Sequence, residues 1–371
     1  MNSAMAKVTI VLGFIKFSSG IEFVDVAVSW ARPVGRGATP QRFTTGCVYW
    51  IKYARDCRLD FMQAICGKGL SLTARGTILN RMGDPAETVA TKTGTSLVLW
   101  ALLMLYAIAR ILQIFPGKVP IVAVVALHVL PPIVFALIHG AMFYRTRGIL
   151  VFCAICLVVG NTFENVGVRT GFPFGSYYFT DLMEPKLFAV PIQLGLAYLG
   201  MAYLSWTLAR VILGNMRSAV AGSRIVTLPL AAAFIMVAWD FSQDPVWSTI
   251  LHLWIWRQGG AYFGVPVSNF LGWYLTVYVF YQLFALYLRD RSTNPDPLPS
   301  SYWNLAILFY AASAAGNILL VIPRPIVSVV SDPAGAQWRI SDITGTCALV
   351  SIFTMGAFAL LAWASLADQK R

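Results

Sequence analysis

The sequence predicts an all-α fold: a polytopic transmembrane helix bundle of about eight spans, with a re-entrant or half-buried loop between spans five and six. Three observations predict it. The 371 residues are 58% hydrophobic and only 12% charged, with a mean hydropathy of +0.68, far more apolar than a soluble domain. Eight apolar runs follow one another from Thr95 almost to the C-terminus. Turn residues and cations punctuate them, as expected where a chain leaves hydrocarbon.

Residues 1–92 mix basic residues, glycines and isolated aromatics without a sustained period. No window there reaches the roughly 18–20 apolar residues that span a bilayer. They are expected to form a poorly specified N-terminal extension, with 93–371 as the transmembrane catalytic domain. The opening AKVTIVLGFIKF is interrupted by Lys16 and has no clean small-residue cleavage site, which argues against a signal peptide. A translation start near Met82 would make the preceding segment an artefact; the alternative is a regulatory or targeting arm.

The apolar runs cover about 95–115, 119–143, 148–167, 187–213, 225–242, 265–288, 302–322 and 343–366. At 1.5 Å per residue each is long enough to cross about 30 Å of hydrocarbon as a helix, the form that satisfies its own backbone hydrogen bonds there. The breaks fall at Pro116-Gly117, at Tyr144 to Arg147, at Asn215 to Arg224, and at Arg289-Asp290-Arg291 with the NPDPLPSS that follows. Eight spans put both termini on one side, which also collects Arg145, Arg147, Arg217, Arg224, Arg289, Arg291, Lys370 and Arg371. The positive-inside rule makes that side cytoplasmic and the location a cell inner membrane, with Arg169, Lys186, Arg257, Arg324 and Arg339 opposing it from the other side. The net charge of +12 therefore reads as headgroup anchoring, and nucleic acid is not expected as a partner. The six cysteines show no paired zinc-type spacing, and Cys153 and Cys156 fall inside a helix run, which suits packing.

Polar groups inside apolar runs carry the functional signal, because burying them costs free energy unless they are paired or hydrated. In NTFENVGVRTGFPFGSYYF, residues 161–179, Asn161, Glu164 and Asn165 share one face of a helix end, with Arg169 just beyond. In VAWDFSQDPVW, Asp240 and Asp244 fall four apart at the end of the fifth run. Both ends belong on one side of the membrane, since both runs are odd-numbered. The segment HLWIWRQGGAYFGVPVSNFLGW then supplies aromatics, a Gly-Gly break and Asn269, a composition suited to a loop lining a cavity.

At these residues the chain resembles a known family. E-x-x-G-x-x-x-G-x-P-F-G-x-Y-x-F from Glu164 to Phe179, L-F-A-V-P from Leu187 to Pro191, W-D-x-x-x-D-P from Trp239 to Pro245, W-x-W from Trp254 to Trp256, and Y-F-G-V-P-x-x-N-F-x-G-W from Tyr262 to Trp273 are similar to the prokaryotic membrane carotenoid-biosynthesis family. That family includes 1',2'-hydratases acting on gamma-carotene-type and bisanhydrobacterioruberin-type substrates. The resemblance covers roughly 95–367. It implies a lyase of the hydro-lyase type that hydrates a terminal isoprenoid C=C, with a carotenoid or other long isoprenoid as substrate and membrane lipid as its surroundings.

Such hydration needs an acid able to protonate an alkene, a site that tolerates a tertiary carbocation, and a positioned water. A carboxyl near hydrocarbon is least costly as the neutral acid, so Asp240 and Glu164 are candidate donors and Asp244 a third carboxyl. Trp239, Tyr177, Tyr178, Trp256 and Tyr262, with Phe174, offer ring faces to the end group and its cation. Asn161, Asn165 and Asn269 could orient water. Structural alternatives stand beside these roles: Glu164 paired with Arg169, Asp244 as a turn residue before Pro245, the aromatics as an interfacial belt, and His128 and His139 as packing residues. Acidic residues without paired divalent-cation motifs predict neither a metal nor an organic cofactor. A protonation-initiated cyclase would use the same acid and aromatics. A membrane prenyltransferase would need a second acidic motif besides DFSQD, and a transporter would be supported by an inverted repeat.

Overall fold

The structure, a computed structural model, describes residues 8–16, 22–30, 85–115, 118–216, 219–289, 298–323 and 328–369. Cys47, Cys57, Cys66, Met82, Arg217, Arg291, Arg324, Lys370 and Arg371 lie outside the described residues. The chain divides into two units, Met1–Ile78 and Leu79–Arg371. In the first, β1 (Val8–Lys16) pairs antiparallel with β2 (Glu22–Trp30), Val8 opposite Trp30. The search for spanning runs predicts no element here. The alternation of Val24, Val26 and Val28 with Asp25, Ala27 and Ser29 is a period-two signal that such a search passes over.

The second unit is a helix bundle. Its helices are α1 (Pro85–Leu112), α2 (Ile121–Thr170), α3 (Ile192–Ile212), α4 (Arg224–Phe241), α5 (Val267–Arg289) and α6 (Ser300–Leu319). The last rod joins α7 (Ile340–Val350) to α8 (Ala357–Asp368) through a π-helical turn, Ser351–Gly356. α2 is not one straight helix: Arg145 within it is non-helical, at φ 60° and ψ 167°. A Cβ on Gly140 would lie 2.5 Å from Ile149 Cδ1. Nine residues of straight helix would separate these positions by about 13 Å, so the chain reverses at Arg145 and α2 is a helical hairpin. Its two arms match the second and third apolar runs.

Among the described residues, five helical segments are long and apolar enough to cross a membrane: Gly94–Leu112, Ala123–Thr170, Arg224–Ile250, Val267–Arg289 and Ile340–Asp368. The second of these contains both arms of the hairpin. Helices α3 and α6 carry more polar side chains and lie at the centre, where Trp206, Tyr203, Phe309 and Tyr310 are fully enclosed. The outward faces remain apolar: Leu97 is 71% exposed, Leu271 67% and Phe353 75%. A continuous apolar exterior of this kind is stable in lipid rather than water.

Three loops gather at one end of the bundle, where the second arm of α2, α4 and α6 finish. The first contains β3 (Tyr177–Phe179), β4 (Lys186–Leu187) and β5 (Val190–Pro191); the second contains a π-helical turn, Val246–Ile250, and β6 (Trp254–Trp256); the third contains β7 (Val329–Ser331) and β8 (Gln337–Arg339). Strands β3 and β6 pair antiparallel, with Tyr177 opposite Trp256 and Phe179 opposite Trp254. The first loop also sits on α5, whose Ser268 hydroxyl donates to Phe174 O at 2.8 Å. Glycine at 272 permits that approach, since a Cβ there would lie 2.8 Å from Pro173 O. In the third loop Ala334 and Asp332 pack on Gly259 of the second.

Candidate active site

Polar groups from α1 to α5 converge on a common cavity at this end of the bundle. Its lining includes Glu164 from α2, Tyr198 from α3, Asp240 from α4, Asp244 just beyond it, Asn269 and Trp273 from α5, and Tyr106 and Arg110 from α1. Phe174, Tyr177, Phe179, Trp239, Trp247, Trp254 and Trp256 add aromatic wall. Apolar surface dominates, as in a site for a largely apolar ligand with a small reactive end.

Two carboxyl groups share one amide. Asn269 Nδ2 donates to Asp244 Oδ2 at 2.5 Å and lies 3.4 Å from Asp240 Oδ2. Trp254 Nε1 donates to Asp244 Oδ1 at 3.1 Å, so both oxygens of Asp244 act as acceptors. Among the described residues Asp240 receives only the longer contact. Helical spacing explains the pair: residues four apart share a face, and α4 ends between them with Ser242 as its C-cap.

Glu164 is held differently. Its Oε2 accepts from Tyr177 at 2.5 Å and its Oε1 from Tyr198 at 2.8 Å, and only 3% of the residue is exposed. Burial, then the adjacent Glu164 carboxyl, pushes the Tyr177 phenol well above its ordinary value, so it remains an O–H donor. Arg169 is exposed at the end of the same helix, and the oxygens it would neutralise are already occupied by the two tyrosines.

The other expected residues lie as follows. Asn161 donates to Leu157 O within its own helix, while Asn165 donates to Asn161 O and accepts the Ala189 N–H, fastening the loop before α3. Strand periodicity separates the adjacent tyrosines: Tyr177 faces the cavity, whereas Tyr178 is 40% exposed with the Arg257 guanidinium 4.8 Å from its ring centre. Tyr262 lies outside the cavity lining, tilted against Phe241, edge-on to Phe270 and donating to Phe241 O at 3.2 Å. Phe174, Trp239, Trp256 and Asn269 line the cavity. His139 is enclosed against Tyr302, their ring centres 3.6 Å apart, with Tyr203 on Nδ1.

The cavity also contains groups to which the sequence assigns no role. Tyr198 sits within an apolar run as an ordinary-looking aromatic and Trp273 ends a quoted motif; only packing brings Tyr198 to Glu164 and Trp273 against Tyr198, the two ring centres 4.4 Å apart. Arg110 was legible in principle as a lone cation inside the first apolar run. It donates to Asn317 Oδ1 and, at 3.4 Å, to Ser313 O. Asn317 in turn donates to Ser242 Oγ at 2.6 Å, so a buried polar chain links α1 through α6 to the end of α4 beside Asp240.

Residues 119–330 match the model of the carotenoid biosynthesis protein family, and the chain belongs to that family. It is an integral membrane protein. Over 114 residues it is 34% identical to the bisanhydrobacterioruberin hydratase of Haloarcula japonica, a stretch covering 30% of this chain and 36% of that protein. No solved structure matches the chain. Among the described residues, no group of three or more His, Cys, Asp or Glu side chains is arranged to hold a metal ion.

Proposed function

We propose that this protein hydrates a terminal isoprenoid double bond of an acyclic-ended carotenoid, as a 1',2'-hydratase needing neither metal nor organic cofactor. The observation that carries the reading is the unequal holding of Asp240 and Asp244 around Asn269 inside an aromatic cavity. Asp244, with a donor on each oxygen, acts as the acceptor; Asp240 is left to carry the proton. The Asp240 proton passes to the less substituted alkene carbon, and the tertiary cation that forms lies among Trp239, Trp247 and Trp256. Water adds to the cation, and the proton it loses returns to the carboxyl pair. Glu164, fixed by Tyr177 and Tyr198, sets the polarity of the opposite wall. The hydratase relative matched over part of the chain supports the same chemistry.

In this reading the chain crosses the inner membrane eight times with both termini in the cytoplasm, the two arms of α2 and the helices α3 and α6 counting as spans. The segment after α4 dips back to wall the cavity, and the polyene enters from lipid. Expression in cells that make lycopene or another acyclic-ended carotenoid, followed by mass analysis of the pigments, tests it. A product heavier by one water is expected. An isomer of unchanged mass would replace hydration with cyclisation.

A further inference from the structure

A second pocket, with polar side chains among its lining, lies against the ribbon formed by β3 and β6. Ser248, Thr249, His252, Ser331 and Asp332 line it, and Trp254 and Trp256 line both this pocket and the acid cavity. The two indoles are therefore the partition between them. The pocket sits where the loops after α4 and α6 meet, at the end of the bundle.

We propose that this pocket is the port through which water, the second substrate, reaches Asp240 and Asp244 while the polyene occupies the lipid-side cavity. The inference rests on the hydration reading above. Its physical basis is that hydrocarbon carries almost no water, so a cavity filled by an apolar chain needs a separate polar supply. The partition is bonded to one of the acids: Trp254 Nε1 donates to Asp244 Oδ1 at 3.1 Å. Independently, Trp256 is 5% exposed and its indole N–H is buried with no acceptor among the described residues. Buried donors in proteins are paired with protein or with ordered water, and a donor in this position suits the oxygen of a water crossing the partition. The port delivers only H2O: the proton given to carbon by Asp240 is replaced by the one the added water loses, so each turnover is balanced without a further co-reactant.

Ser331 is exposed on the rim and takes no part in the acid cavity. The test is Ser331→Cys in the full chain, reconstituted in lipid nanodiscs and treated with a sulfonate-bearing methanethiosulfonate, with the unsubstituted protein as control for the native cysteines. Unmodified Ser331→Cys should form hydrated product at the wild-type rate. The modified protein should lose most of that rate, while the treated control keeps it. Complete modification with an unchanged rate would overturn the port, and so would failure of the reagent to react, since a water port must admit it. Absence of hydrated product from the unsubstituted protein would instead overturn the hydration reading, and the port with it.

Discussion

Asn269 Nδ2 lies 2.5 Å from Asp244 Oδ2, and this contact pins the start of α5 to the segment that ends α4. The same nitrogen, 3.4 Å from Asp240, keeps two buried carboxyls apart and unequal. Replacing it by an apolar side chain leaves buried acceptors without their donor, which costs about 1–3 kcal/mol. Asn269→Leu is expected to lower the melting temperature in detergent and the rate per folded molecule together. A lowered rate with unchanged melting would remove its structural half.

Asp240→Asn should nearly abolish product formation with insertion and folded yield intact, because the carboxamide has no acidic proton for carbon. Losing a positioned acid costs at least about 10²-fold. Pigment analysis normalised to folded protein checks it, and a wild-type rate in this variant would remove Asp240 from the mechanism.

Glu164→Gln separates catalysis from packing. Its amide nitrogen would face a tyrosine hydroxyl that now donates to a carboxylate oxygen, so the Tyr177 and Tyr198 contacts cannot both persist unaltered. Product formation is expected to fall by roughly 10²-fold. If Glu164 only anchors the two tyrosines, thermal stability falls while the rate per folded molecule holds.

Tyr177 gives a pH signature. Because its folded-state phenol is held above the unfolded value, the stability it contributes is complete below about pH 10 and falls as the pH rises further, when the unfolded phenol ionises first. Unfolding of wild type and Tyr177→Phe, compared between about pH 9 and 11, should show the difference shrinking with pH. A constant difference would contradict this.

Two conditions should leave turnover unchanged. Chelation by EDTA is one, and activity lost to EDTA and restored by Mg²⁺ would favour the prenyltransferase chemistry instead. The other is removal of the chain before Met82, since every described residue lining the acid cavity lies between Tyr106 and Trp273. Loss of activity in a stably inserted truncation would assign the first unit a role.

Where the apolar helices run, and which carboxyls fall at their ends, can be read from the sequence because both are local properties. Hydrophobic run length decides whether a segment is a helix in lipid, and a buried acid such as Glu164 or Asp240 is conspicuous in such a run whatever surrounds it. Tertiary structure decided partnership. Tyr198 looks like a packing residue until α3 brings it to Glu164 and α5 sets Trp273 against it, and Tyr178 differs from Tyr177 only through which face of β3 meets the cavity. Asn161 and Asn165, on the same helix face as Glu164, bond to their own backbone and to Ala189 instead, while Arg110, far away in sequence, reaches the end of α4 through Asn317 and Ser242. Spacing along one helix limits what can share a face; which face closes on which neighbour depends on side-chain packing between distant segments, and no local pattern encodes it.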